Sequence, residues 1–128
     1  MPPDTPLPTD AELAILRVLW AHGPATVQEV QDHLDDDRGY TTVLKHLQIM
    51  HDKGLVTRDE SGRAHVYATA REAADTQRRL VRDLLDRAFG GSAQQLVMRA
   101  LATDEVSRDE LDQIRALLNQ METSDDDA

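Results

Sequence analysis

The chain has 128 residues, enough for one compact domain or a small domain with an appendage. It has no cysteine, which excludes disulfides, thiolate metal sites and a cysteine nucleophile, and its 3% aromatic content leaves Leu, Val, Ile and Ala to build the core. The net charge of −10 argues against general affinity for nucleic acid, yet the charge is uneven. Residues 39–67 hold Lys45, Lys53, Arg58 and Arg63 against Asp52, Asp59 and Glu60, a net charge of +1, together with His46, His51 and His65. The acid gathers elsewhere, at Asp32 and Asp35, Asp36 and Asp37, and again at Asp125, Asp126 and Asp127.

Residues 1–8 contain four of the five prolines and read as a disordered lead. The N-terminus is acidic and lacks the basic and apolar regions of a signal peptide, and no apolar run approaches the roughly 20 residues of a membrane span. A cytoplasmic protein without membrane insertion is expected. Thr9-Asp10-Ala11-Glu12 has the spacing of a capping box. A first helix follows to about His22, with Leu13, Ile15, Leu16, Leu19 and Trp20 on its apolar stripe. Gly23-Pro24 ends it.

Thr26-Val27-Gln28-Glu29 is a second capping box, opening a short helix with Val27, Val30 and Leu34 inward. After the acidic stretch 35–39, Thr41 or Thr42 caps a third helix with Val43, Leu44, Leu47 and Met50 as its apolar residues, and Gly54 is placed to end it. The period then changes to two. Residues 55–58 and 64–68 read as short strands around a turn at 59–63, with His65 and Tyr67 on one face, and residues 24–26 supply a third, short strand. The fold class is therefore mainly α with a small β-hairpin: a winged helix-turn-helix over 9–70.

Helical periodicity returns from Arg71. Leu80, Val81, Leu84, Leu85 and Ala88 line one helix, which Gly90-Gly91 stops. Ser92 caps a second, with Leu96, Val97, Ala100 and Leu101, and Ser107-Arg108-Asp109-Glu110 opens a third, with Leu111, Ile114, Leu118 and Met121. Three short amphipathic helices cannot close a core alone. Each buried Leu contributes about 1.5–3 kcal/mol against about 1.5 kcal/mol per ordered residue. Residues 71–122 are thus expected to form a helical dimerisation region through Leu80, Leu84, Leu85, Leu96, Leu101, Leu111, Ile114 and Leu118, because one self-complementary patch closes a homodimer. Residues 123–128 read as a disordered acidic tail.

In a helix-turn-helix the second helix enters the major groove with its N-terminal residues against base edges. Here that helix begins at Tyr40, Thr41 and Thr42, with Lys45 and Gln48 further along the same face; hydroxyl, ammonium and amide groups of this kind bond bases and phosphates. Arg63 beside Gly62 at the wing tip adds a backbone contact. Each residue alone is ordinary surface; together they mark a face for double-stranded operator DNA. His46 reads as a half-buried, hydrogen-bonded side chain. His46 and His51 are five apart rather than the four that sets two imidazoles over one metal. Neither a metal nor any other cofactor is expected. With no P-loop, Gly-rich dinucleotide turn, H-E-x-x-H or nucleophile elbow, an enzyme is not expected either. The acidic balance also fits a winged-helix protein-interaction module without DNA binding.

Four stretches resemble the penicillinase-repressor family, the BlaI/MecI/CopY group. They are Ala11-Glu12-Leu13 through Val18-Leu19-Trp20; Tyr40-Thr41-Thr42-Val43-Leu44 leading to Lys53-Gly54-Leu55-Val56; the wing Gly62-Arg63-Ala64-His65-Val66-Tyr67; and Phe89-Gly90-Gly91 with Leu96-Val97 and the last apolar helix. The resemblance implies a dimeric transcriptional repressor on a palindromic operator, with Thr41, Thr42 and Lys45 at matching recognition positions. It also implies relief of repression by a sensor-linked signal. In the antibiotic-responsive branch a membrane metallopeptidase sensor, or its protease pathway, leads to cleavage between Asn and Phe in the dimerisation region. The corresponding bond here is Arg99–Ala100, and neither residue matches. The copper-responsive branch carries a cysteine-rich tail, which this chain lacks.

Overall fold

A computed structural model describes residues 5–103 and 105–126. The elements are α1 (Asp10–His22), β1 (Ala25–Thr26), α2 (Val27–His33), α3 (Tyr40–Lys53), β2 (Val56–Asp59), β3 (Val66–Thr69), α4 (Ala73–Ala88), α5 (Ala93–Leu101) and α6 (Arg108–Asp126). Both expected capping boxes at the first two helices are formed. Thr9 accepts from the Glu12 amide while the Glu12 carboxylate accepts from the Thr9 amide, and Thr26 and Glu29 do the same. The three strands form one antiparallel sheet in the order β1-β3-β2, with Thr26 opposite Val66 and Arg58 opposite Tyr67.

The sheet and α1–α3 close over one core, in which Ile15, Val30, Val43, Leu47, Met50 and Tyr67 are fully buried. Gly54 takes the left-handed conformation (φ 83°). Its amide donates to the His51 carbonyl, and the Leu55 amide reaches back 2.9 Å to that of Met50. That second bond explains why β2 begins at Val56 rather than at Leu55: the Leu55 N–H belongs to the helix end. The other strand also starts later than its sequence suggests, at Val66 instead of Ala64.

Two compact units divide between Arg82 and Asp83, not at residue 70. The first ten residues of α4 therefore belong to the winged-helix unit. So do residues 5–8, expected as part of a disordered lead. Thr5 is buried, its hydroxyl accepts from Arg71 and its carbonyl from Arg79; residues 1–4 of that lead lie outside the described residues. The second unit holds the end of α4 with α5 and α6. Gly90 and Gly91, both at positive φ, stop α4; the Ser92 hydroxyl caps α5, and Ser107 accepts from the Glu110 amide to start α6. α6 continues to Asp126, through most of the expected disordered tail, leaving 127–128 outside the described residues. Among the described residues no helix is long and apolar enough to cross a membrane.

One ion pair ties the beginning of the first unit to the end of α3. Lys53 Nζ lies 2.9 Å from both carboxylate oxygens of Glu12, whose side chain is 4% exposed. Burial pushes the Glu12 carboxyl up, but hydrogen bonds from Lys53 and Thr9 and the lysine charge outweigh it and hold it below its ordinary value of 4.5. A carboxylate depressed on folding stabilises the protein at neutral pH, and that stabilisation disappears as pH falls through the folded value. Lys53→Met is expected to cost about 3 kcal/mol at pH 7 in urea denaturation, because it leaves Glu12 buried and unpaired. The gap between variant and wild type is expected to narrow below pH 4.

Candidate nucleic-acid interface

The turn between α2 and α3 is held by Arg38. Its Nη1 donates 2.9 Å to the Ala11 carbonyl of α1 and lies 3.1 Å from His46 Nδ1 of α3, while Nε and Nη2 grip Asp36. That guanidinium keeps the Asp36 carboxyl below its ordinary range. The Gln31 amide closes the turn by donating to the Arg38 carbonyl. The angle at which α3 leaves the turn is therefore fixed from α1, from the turn itself and from α3. His46 has the half-buried, hydrogen-bonded setting read from the sequence. The role of Arg38 was not foreseen, since its partners lie 27 residues before and eight after it.

α3 begins two residues earlier than a cap at Thr41 would place it, and three earlier than one at Thr42. Gly39 is the N-cap and makes no side-chain cap bond. Thr41 and Thr42 thus stand inside the first helical turn, exposed, with their hydroxyls not engaged in capping. Thr41, Lys45 and Gln48 follow one another at four- and three-residue spacing, all exposed, opposite the buried Val43, Leu47 and Met50. Tyr40, for which core packing was as plausible from sequence as surface, is 48% exposed.

Cations in this region are mostly committed to acids. Lys53 pairs with Glu12, Arg38 with Asp36, and Arg58 lies 2.8 Å from Glu60. Of the cations within residues 39–67, Lys45 and Arg63 stand without an acidic partner among the described residues, and both are exposed. A groove of about 360 Å³ separates α2, α3 and the wing, bringing Tyr40 and Arg63 to one cavity together with Gln28, His65 and Tyr67. Thr41, Thr42, Lys45 and Gln48 are outside its lining. The Tyr67 hydroxyl is buried without a hydrogen-bond partner among the described residues.

The remaining histidines are dispersed. His33 stacks on His22, ring centroids 3.8 Å apart and 13° from parallel, and His51 lies 3.9 Å from Asp52.

The residues expected to join two copies divide between the units. Leu80 belongs to the winged-helix unit, where it is half-buried and lines a groove with Leu13 and Trp20. In the second unit Leu84 and Leu118 are exposed, and Leu85, Leu96, Leu101, Leu111 and Ile114 are half-buried. No residue of that unit whose burial is described is buried. Val97, Met98, Leu117 and Met121 add to its uncovered apolar surface. Arg99 and Ala100 are exposed within α5.

Three helices with a three-stranded antiparallel wing, followed by further helices, define a winged helix-turn-helix protein. The family model for the penicillinase repressor matches residues 8–120, and the chain belongs to that family. Similar proteins include the transcriptional regulator BlaI of Mycobacterium tuberculosis, 32% identical over 88% of this chain and 83% of that protein. The penicillinase repressor of Bacillus licheniformis is 25% identical over 88% of this chain and 89% of that protein. Among solved structures, the transcriptional regulator Tm0710 of Thermotoga maritima superposes with a TM-score of 0.51 at 21% identity, covering 91% of this chain and 77% of that one, a likeness of fold.

Because their hydroxyls do not cap the helix, Thr41→Ala and Thr42→Ala are expected to leave stability within about 0.5 kcal/mol of wild type. Thr26→Ala, which removes a formed cap, is expected to cost about 1 kcal/mol. Thermal melts of the three variants side by side check both.

Proposed function

We propose that the chain is a sequence-specific DNA-binding transcriptional repressor that acts as a homodimer on a palindromic operator. The observation that carries the DNA-binding part is the exposed stripe Thr41, Thr42, Lys45 and Gln48 on α3, flanked by Tyr40 and by Arg63 of the wing. In a chain of net charge −10, the cations of residues 39–67 left without acids among the described residues, Lys45 on α3 and Arg63 of the wing, are both exposed. Their small number means that little affinity comes from phosphate charge alone, so binding relies on base contacts at α3 and on two heads acting together.

Membership of the penicillinase repressor family supports the repressor reading. The uncovered leucines and methionines of the second unit support the homodimer. A second copy is the simplest cover for such a surface, and two-fold symmetry would set two α3 helices about 34 Å apart on successive major grooves. We further propose that repression is relieved by a sensor-linked signal, with a membrane metallopeptidase sensor or its protease pathway as the candidate source. The Arg99–Ala100 bond is the candidate cleavage position. Its helical setting requires local unwinding before a protease can take it.

A gel shift on the duplex upstream of the protein's own gene is expected to show binding well beyond that to random duplex; equal binding to both would refute the proposal. Lys45→Ala and Arg63→Ala are each expected to weaken binding and to reduce the slope of log K against log salt by about 0.9. Leu118→Asp is expected to yield a monomer in sedimentation and to lose the specific shift.

A further inference from the structure

The groove between α2, α3 and the wing has a composition out of keeping with the chain around it. Of the 128 residues, 24 are Asp or Glu, yet none of the nine residues lining this groove is acidic. Its polar groups are Thr26, whose hydroxyl is engaged in capping α2, Gln28 from α2, Tyr40 from α3, and Arg63 and His65 from the wing, above the buried Tyr67. The strand register explains how His65 gets there. Thr26 pairs with Val66, so the residue just before Val66 lies beside the start of α2. The groove is also bounded by two residues of the proposed DNA-reading face, Tyr40 and Arg63, so a duplex receiving α3 in its major groove carries a sugar-phosphate strand across it.

We propose that this groove seats one backbone phosphate of the DNA, held by Arg63, Gln28 and His65, and that protonation of His65 strengthens the hold. This rests on the DNA-binding reading above. The titratable or charged groups facing His65 across the groove are Arg63 of the wing, Tyr40 of α3 and Tyr67 of β3; α2 contributes the neutral Gln28. Arg58, opposite Tyr67 in the sheet, is paired with Glu60. No carboxylate in the groove competes with a phosphate for the imidazolium. Histidine changes charge between pH 5 and 8, whereas a phosphodiester stays anionic throughout. With so few free cations on this face, one added proton is a large fraction of its charge.

The test uses the full chain and the upstream duplex, with dissociation constants measured across a salt series at pH 6.0 and pH 8.0 for wild type, His65→Gln and, as a control on another histidine, His51→Gln. Wild type and His51→Gln are expected to bind about fivefold tighter per subunit at pH 6.0, the difference between a charge-assisted and a neutral hydrogen bond. Their salt slope is expected to steepen by about 0.9 per subunit. His65→Gln is expected to keep specific binding at pH 8.0 and to lose the pH effect on both affinity and slope. His65 is exposed, so an unchanged melting temperature for this variant is expected. If wild type binds specifically but His65→Gln retains the same pH ratio, the phosphate seat is overturned and the DNA-binding reading stands. If wild type prefers the upstream duplex at neither pH, both are overturned.

Discussion

Glu12 is the carboxylate on which the geometry of the first unit turns. It closes the capping box at the start of α1 and, with both oxygens, holds Lys53 in the last turn of α3. Buried charge of this kind is tolerated only when every lone pair has a donor, and here the donors come from two elements that pack across the same core. Arg38 makes a comparable bond set at the other end, joining the turn before α3 to α1 and to His46. Held at its beginning and at its end, α3 has its apolar side fixed against Ile15 and Val30 and its polar side turned outward as a rigid stripe.

The same contacts distribute charge. A strongly acidic protein that approaches a polyanion has to keep its carboxylates occupied or distant. Lys53, Arg38 and Arg58 occupy three acids close to α3, and the groove beside the wing contains none. Over the first turns of α3 the exposed residues Tyr40, Thr41, Thr42, Lys45 and Gln48 are neutral or cationic, while Asp52 stays exposed in its last turn. Under the proposed function this arrangement favours discrimination over general affinity. Few phosphate-directed charges mean that a random duplex holds the protein weakly, while hydroxyl and amide groups on α3 await the right base edges.

Much of this could be read along the chain because the signals are local. Thr9 with Glu12 and Thr26 with Glu29 are three apart, Gly54 ends a helix at a spacing that periodicity reveals, and the change from a period of 3.6 to one of two announced the wing. The start of α3 was harder, because Gly39 caps it with no side chain and the two threonines next to it imitate a cap. Pairings across long separations left no trace: Lys53 with Glu12 is 41 residues apart, and Arg79 with Thr5 is 74. That second grip is why Thr5, in a proline-rich stretch read as disordered from composition, is buried against the first unit. The proposed recognition stripe was visible as a pattern of polar residues. That Lys53 and Arg58 are paired with Glu12 and Glu60 was not, because net charge counts cations without regard to their partners.

The second unit has well-defined helix ends but no described side chain that is buried. If a second copy covers it, as proposed, its persistence depends on how much of that partner is present. Turnover would then be linked to abundance. Under that proposal, copies lacking cover would offer exposed apolar side chains to housekeeping proteases, and covered copies would escape them. The cell's stock of such a protein would trim itself from below, with dilution at each division shortening the half-life of what is left.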